Sequence, residues 1–308
     1  MVPPTHVGFT AGAIADERHE AALCIDNSVE ALSCFRANTG VPRTLCVTLP
    51  QKIDWPEGDL HVHFSPPCTA FSRARCGSST QAQLEAGVLH LKWSLETILA
   101  HNFTSYSLET VSVPRTRAVL DSICAAYPSR IAYHAFECAD FGVPQLRKRI
   151  VAGRPEMIER LKAFPVNTRV SVSSAFGGEP AAQYIKNTTV SRGSGLSRCV
   201  RTVQEPAFTV CGSRSLSWCD ANGKTVRVMK PFELAVLQSL PSSWVLPKGT
   251  RAATLATGNC VPPLLAKAIM KAAMGESPAP PPRKRSREDD DRLDRLERRV
   301  SDLESKLL

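Results

Sequence analysis

Before residue 155 the sequence alternates short apolar runs with amphipathic ones, and this rhythm limits the possible folds more than any other feature. HEAALCID (19 to 26) reads as a short strand ending in an acid, and SVEALSCFRAN (28 to 38) as a helix. DLHVHF (59 to 64) is strand-like and runs into SPPC, and QAQLEAGVLHLKWSLETILAH (81 to 101) is a long amphipathic helix. SYSLETV (105 to 111) is a further strand, followed by the helical RTRAVLDSICAAY. Strands alternating with helices predict an α/β fold with a parallel, doubly wound sheet. Ligands of such sheets bind at the carboxyl ends of the strands. Asp26, Cys68 and Glu109 all fall at or just after such ends.

The rhythm stops beyond residue 154. Residues 155 to 200 are rich in Ser, Thr, Gly and Arg, as in VNTRVSVSSAFGG and TTVSRGSGLSRCVR. A structureless loop of that length is unusual inside a compact domain, so a small irregular module with exposed basic side chains is expected. Helices return at KPFELAVLQSL and PPLLAKAIMKAAM. SPAPPPRKRSREDDD then has the proline and charge content of a disordered linker. In RLDRLERRVSDLESKLL, Leu293, Leu296, Val300, Leu303 and Leu307 are spaced 3, 4, 3, 4, a heptad seam. Barely two heptads give weak self-association, and a solvated single helix fits equally well. The expected divisions are 1–154 core, 155–226 module, 227–275 return to the core, 276–291 linker and 292–308 coiled-coil-like helix.

Bulk properties narrow the partners. The 308 residues, 43% hydrophobic, suit one large domain or a large and a small one. No apolar run reaches membrane-spanning length, and MVPPTHVGF lacks the basic-then-apolar order of a secretory signal, so an intracellular protein is expected. RKRSR has the composition of a nuclear import signal, as do many solvated linkers. The 11 cysteines form no C-x-x-C pair and no Cys/His cluster with zinc spacing, so no metal is expected and most should be buried free thiols. Net charge is +9, of which the tail after Pro282, with nine basic and eight acidic residues, supplies +1. The remaining +8 on the body favours a polyanionic partner.

One cysteine is mounted differently. In FSPPCTAFSRAR, Pro66 and Pro67 hold Cys68 just after a strand. Proline fixes φ and limits backbone wandering, which suits a positioned nucleophile. Burial as an inert thiol is the usual fate of an isolated cysteine. Four further segments stand in order with this one. They are LETV (108 to 111), FECADFGVPQLRKR (136 to 149), NGKTVRVMKPFELAVLQSLP and TGNCVPPLLAKAI (257 to 269). Together, over roughly residues 7 to 274, the five resemble the ordered motifs of the cytosine-C5 DNA methyltransferase family.

That resemblance implies a Rossmann-like S-adenosylmethionine-dependent methyltransferase sheet, a small irregular target-recognition module and a C-terminal helical tail. It implies methyl transfer from S-adenosylmethionine to C5 of cytosine in double-stranded DNA, on a flipped-out base. Cys68 matches the nucleophile that adds to C6, and Glu109 the acid at the ring N3 and exocyclic amine. Arg147 matches the arginine that reaches the cytosine O2 and the nucleophile loop, with Pro67, Gln145 and Arg149 in support. Gly8, Phe9, Asp26 and Asn259 match cofactor-binding positions. Arg169, Arg192, Arg198, Arg201 and Arg214 are candidates for the nucleic-acid backbone. The sequence departs from the pattern near its start. Pro4 and His6 replace the Phe and first Gly of the glycine turn, the strand before it is absent or truncated, Cys46 stands where the family has an adenine-contacting Asp, and Thr110 replaces Asn. A catalytically impaired relative that binds cytosine or DNA, and an RNA cytosine-C5 methyltransferase, remain alternatives.

Overall fold

The computed structural model describes residues 6–40, 43–67, 71, 79–165, 168–187, 200–213 and 216–276. Contacts divide the chain into units 1–277 and 278–308, and the second unit lies outside the described residues. The linker, RKRSR and the heptad residues Leu293, Leu296, Val300, Leu303 and Leu307 therefore lie outside them too.

The first unit begins with α1 (His6–Ala13), β1 (Cys24–Asp26), α2 (Val29–Thr39) and β2 (Thr44–Cys46). It continues with β3 (His61–Phe64), α3 (Gln81–Ala100), β4 (Ser105–Val111), α4 (Pro114–Ala126), β5 (Ala132–Glu137) and β6 (Lys148–Gly153). Local signals set these ends. The Ser28 hydroxyl accepts from Ala31 N–H at the start of α2, and Gly40, at φ 68°, ends it. Thr80 and Gln83 form a capping box on α3, and Pro114 opens α4.

The strands form two sheets. β1 and β2 are a parallel pair, and a second sheet has the order β3-β4-β6-β5. β3 and β4 are parallel, as the alternation predicts, but β6 runs antiparallel to both β4 and β5. The reason is the connection. Only a 3₁₀ turn at Cys138–Phe141 and a short loop join β5 to β6, with no helix to carry the chain back across the sheet.

Helices cover both faces of the larger sheet. Phe64, Leu91, Leu95, Tyr106, Leu108 and Ile150 form the core under α3 and α4. Phe9, Phe136, Val151, Met157, Leu265 and Ile269 form the core on the other face, under α1, α5 (Pro155–Leu161) and α9 (Pro263–Ala273). α5 thus packs with the core sheet, beyond the boundary expected at residue 154. Among the described residues no helix is long and apolar enough to cross a membrane.

Two expectations need correction. VGFTAG is helical rather than a glycine turn. Gly8 and Gly12 share one helix face, and that face abuts the entry to α9. A Cβ on Gly8 would lie 2.0 Å from the Val261 carbonyl, and one on Gly12 2.1 Å from that of Pro263. These glycines therefore serve helix packing.

The module is also more regular than its composition predicts. After α6 (Val172–Ala175), strands β7 (Tyr184–Asn187), β8 (Val200–Thr202), β9 (Leu216–Cys219) and β10 (Thr225–Val228) form an antiparallel sheet of order β10-β9-β7-β8. Its core is the fully buried Trp218 with Ile185, Val203 and Val210, closed by Leu234 and Leu237 of α7 (Pro231–Leu237). α8 (Thr250–Asn259) then leads back to α9.

Glu233 ties the module together. Its carboxylate accepts from Trp218 Nε1 at 2.9 Å, from Arg227 at 2.7 and 2.8 Å, and from Lys230 N–H at 2.7 Å. Burial opposes its ionisation, but these donors outweigh burial and hold the carboxyl below the ordinary carboxylate range. Its stabilisation is therefore present above the ordinary carboxylate pKa and is lost as pH falls through the lowered one. Glu233→Gln is expected to cost on the order of 1–3 kcal/mol in urea unfolding at pH 7 and to reduce the loss of stability on acidification.

Candidate functional site

Register brings the candidate residues to one end of the larger sheet. Phe64 of β3 faces Leu108 of β4, so the next step sets Glu109 beside Ser65 and the Pro66–Pro67 run. Cys68 itself lies outside the described residues. Along β4, Tyr106 and Leu108 point to the α3 side, so Ser105, Ser107 and Glu109 point to the α1 side. All seven residues of β4 are buried, which makes Glu109 a carboxyl in the interior of the sheet.

Arg149 comes from the start of β6, which pairs with the end of β4 through Val111. Its Nε lies 2.8 Å from Glu109 Oε1, yet that oxygen accepts no well-directed hydrogen bond. Burial pushes the Glu109 carboxyl above its ordinary range, against the pull of Arg149 and Arg147. The result is a carboxyl with raised proton affinity and spare hydrogen-bonding capacity, at the end of a central strand.

Arg147 and Gln145 are bound into a clamp. Arg147 is buried and donates to the carbonyls of Val210, Gly258 and Cys260 at 2.9, 3.1 and 3.2 Å, with its Nε left unpartnered. Gln145 donates to the Leu237 carbonyl and to Gln238 Oε1, and accepts from Val210 N–H. Gln238 in turn donates to the Thr257 and Cys260 carbonyls. These residues join the sheet, the module and the α8–α9 turn into one polar seam.

The expected cofactor residues do not all converge. A cavity of about 590 Å³ is lined by Phe9, Asp26, Ser65 and Pro67, but not by Gly8 or Asn259. Gly8 faces Val261, and the half-buried Asn259 has its Nδ2 atom buried and unpartnered against Gly212. Asp26 accepts from Ser28 N–H at 2.8 Å, which fixes the carboxylate at the end of β1. Cys46, at the end of β2, is exposed. Of the module arginines, Arg169 pairs with Asp140 at 2.7 Å. Arg201 stacks on Phe208 and donates to the Pro206 carbonyl. Arg192, Arg198 and Arg214 lie outside the described residues. The buried thiols of Cys24, Cys138 and Cys260 are pushed up to about 12 by burial, so they stay protonated. Among the described residues no group of His, Cys, Asp and Glu could hold a metal ion.

Sequence reasoning missed one chain of polar groups. His61 bridges Ser105 and Ser107 at 2.8 and 2.9 Å, and His63 bridges Ser107 and Ser65, both at 2.8 Å. Phe9 stacks on the His63 ring at 3.5 Å. This ladder runs along the inner face of β3 and β4 up to the Pro66–Pro67 mount. Its signal was the alternation H-x-H-x-S beside S-x-S on two strands in parallel register.

Burial, with His19 adding to it, holds His61 down to about 4 from its ordinary 6.5. The unfolded chain therefore binds a proton more readily, and the His61 contribution is present above pH 6.5 and lost as pH falls towards 4. His61→Gln should remove a component on the order of 3 kcal/mol from the fall in stability across that window, read as the difference between the two proteins in urea titrations.

Comparison with known proteins places this arrangement. Residues 160–275 match the family of C-5 cytosine-specific DNA methylases. A curated relative, the Type II methyltransferase M1.HphI of Haemophilus parahaemolyticus, is 26% identical over 193 residues, 52% of this chain and 52% of the relative. The chain thus spans about half the length of the curated relative it matches. Among solved structures, a prophage-encoded protein of Escherichia coli assigned as a DNA modification methyltransferase superposes with a TM-score of 0.58 at 15% identity. That match covers 87% of this chain and 95% of the other. The S. pombe Dnmt2 methyltransferase superposes with a TM-score of 0.57 at 12% identity, covering 88% and 96%. These likenesses show the mixed α/β methyltransferase fold. The family likeness is carried by the segment 160–275, which is similar to C-5 cytosine-specific DNA methylases.

Proposed function

We propose that the chain transfers a methyl group from S-adenosylmethionine to C5 of cytosine in double-stranded DNA, a reading supported by the similarity of residues 160–275 to C-5 cytosine-specific DNA methylases. The observation that carries this reading is Glu109. It combines deep burial, a raised proton affinity and an oxygen without a well-directed hydrogen bond, beside the Pro66–Pro67 mount. A carboxyl of that kind suits donation to a ring nitrogen.

In the proposed reaction the Cys68 thiolate adds to C6 of a flipped-out cytosine, forming the S–C6 bond. The C5=C6 π pair moves onto the ring, and Glu109 gives its proton to N3, so no net charge builds up there. C5 then takes the methyl group, and the donor, its S–CH3 bond broken, would leave as a neutral thioether. Water removes the C5 proton, the C5=C6 bond re-forms as the thiolate leaves, and N3 returns its proton to Glu109. S-adenosylmethionine supplies the electrophilic methyl group, carried on a sulfonium. Asp26 fits the ribose hydroxyls of that molecule, being a fixed carboxylate on the wall of a cavity whose volume lies in the range of small-molecule sites. Gly8 and Asn259 have no contact with that cavity, so the donor site rests on Asp26, Phe9 and the Ser65–Pro67 wall. Arg147, Gln145 and Arg149 position the site rather than react.

The finer readings belong to the same proposal. RKRSR supports import into a nucleus, and the heptad residues Leu293 to Leu307 support weak self-association. Binding of cytosine without transfer is favoured by the separation of Gly8 and Asn259 from the cavity, and tight binding of S-adenosylmethionine in calorimetry counts against it.

Label transfer from tritiated S-adenosylmethionine to cytosine-containing duplexes tests the activity, with tRNA as the competing acceptor. Cys68→Ala is expected to abolish transfer while leaving duplex binding intact, and Glu109→Gln to lower kcat by about 10²- to 10⁴-fold. Because the acid form of Glu109 donates, the wild-type rate should fall as pH rises through its elevated pKa, and Glu109→Gln should lack that limb. Equal turnover in Cys68→Ala would refute the nucleophile, and transfer to tRNA alone would move the substrate to RNA.

A further inference from the structure

Of the arginines expected to hold a nucleic-acid backbone, those that the structure describes are engaged within the protein. Arg169 pairs with Asp140, and Arg201 stacks on Phe208 and donates to the Pro206 carbonyl. Positive charge collects instead at the end of the larger sheet where Glu109 lies. Arg115 and Arg117 stand in the first turn of α4, and Lys148 at the start of β6. All three are exposed, and none lines the cavity assigned to the methyl donor.

Pairing and packing bring these elements together. Val111, the last residue of β4, pairs with Arg149, so Lys148 lies one residue beyond that pair. Thr116 donates from Oγ1 to the Val111 carbonyl at 2.7 Å, which holds the first turn of α4 to the same strand end. Tyr133 of β5 donates to Asp121 of α4 at 2.5 Å, so the helix starts at β4 and reaches β5, crossing β6 between them. Ile150 and Ala152 point to the α4 face of the sheet, and Lys148 follows their alternation. In α4 the buried Thr116 and Leu120 point inwards, which turns Arg115 and Arg117 outwards on either side of them. The three cations therefore share one surface beside the strand ends.

The acids near this surface are already engaged. Glu137, opposite Lys148, accepts from Arg147 N–H, and Asp121 accepts from Tyr133. Glu109 points to the other face and is held by Arg149. Arg117 is braced by its donation to Ser112 Oγ at 2.8 Å. Among the described residues the side chains of Arg115 and Lys148 make no ion pair. Like charges gathered without counter-ions raise the local potential and draw in a polyanion.

We propose that Arg115, Arg117 and Lys148 form a phosphate clamp on the core, which grips the backbone of double-stranded DNA beside the strand ends that hold Glu109. Arginine forks match phosphate oxygens bidentately, and lysine adds a point charge. The clamp places the electrostatic grip on the sheet that carries the chemistry rather than on the module alone. It deepens the proposed function and rests on it for the identity of the polyanion.

The test measures binding of the full chain to a fluorescein-labelled duplex of mixed sequence, about 30 base pairs long, across a range of salt concentrations. In Arg115→Gln/Lys148→Gln the slope of log K against log salt should flatten by about 2, since each lost phosphate contact removes about 0.9. Arg115→Lys/Lys148→Arg keeps the charges and should keep the slope. Lys92→Gln/Lys267→Gln removes the same charge from exposed positions on the bodies of α3 and α9 and should also keep it. Tm should be unchanged in all three, and in label transfer the first variant should raise KM for the duplex without lowering kcat. An unchanged slope in the first variant, an equal flattening in the α3/α9 variant, or no duplex binding by the wild-type chain would overturn the clamp. Loss of slope as expected, but with no label transfer by the wild-type chain, would refute the methyl transfer and leave the clamp standing.

Discussion

The buried approach of Arg149 to Glu109, at 2.8 Å, is the contact around which this molecule is arranged. A carboxyl inside a sheet ordinarily costs several kcal/mol unless it is paired or protonated. Here burial wins over the two arginines, so the group retains a proton more readily than a surface acid does. For this to hold, β6 must run antiparallel beside β4, because only that direction sets Arg149 at the end of β4 where Glu109 lies. The short turn between β5 and β6 is thus the topological feature on which the electrostatics depends.

A second layer of buried polar groups fixes the module against that sheet. Arg147 reaches three carbonyls from two distant segments, and Gln145 reaches α7 and Val210. Gly258 contributes by size. A Cβ there would come within 2.0 Å of Gly212 N, so the α8 segment and the module loop meet backbone to backbone. The conjunction of Gln145-x-Arg147 with Gly258-Asn259 is therefore a packing requirement as much as a chemical one. Charged and amide groups spent on carbonyls in this way are unavailable for solvent, which is consistent with rigid placement of whatever the site binds.

The strands and helices before residue 155 were legible because their periods are clean, and the positions of Asp26 and Glu109 followed from strand ends. The direction of β6 was not legible, since alternating apolar residues do not reveal whether a turn or a helix connects two strands. VGFTAG shows a different limit. Glycines four apart serve a phosphate-style turn or a close helix contact equally well in sequence, and only Val261 and Pro263 across the interface decide between them. The module sheet was hidden because β7 and β8 are short strands in a Ser- and Thr-rich setting. The hairpin of β9 and β10 carried a readable signal in Asp220 and Gly223, whose turn geometry closes it.

The account turns on the chemistry assigned to the strand end beside Pro66 and Pro67. A duplex carrying 5-fluorocytosine tests it most directly, because fluorine at C5 cannot leave as a proton does and the covalent adduct persists. Incubated with the full chain and S-adenosylmethionine, it should give a stable protein–DNA complex whose peptide mass maps to Cys68 and whose yield falls in Glu109→Gln. An adduct mapping to another cysteine, or none from a folded chain that binds both the duplex and S-adenosylmethionine, would contradict the account.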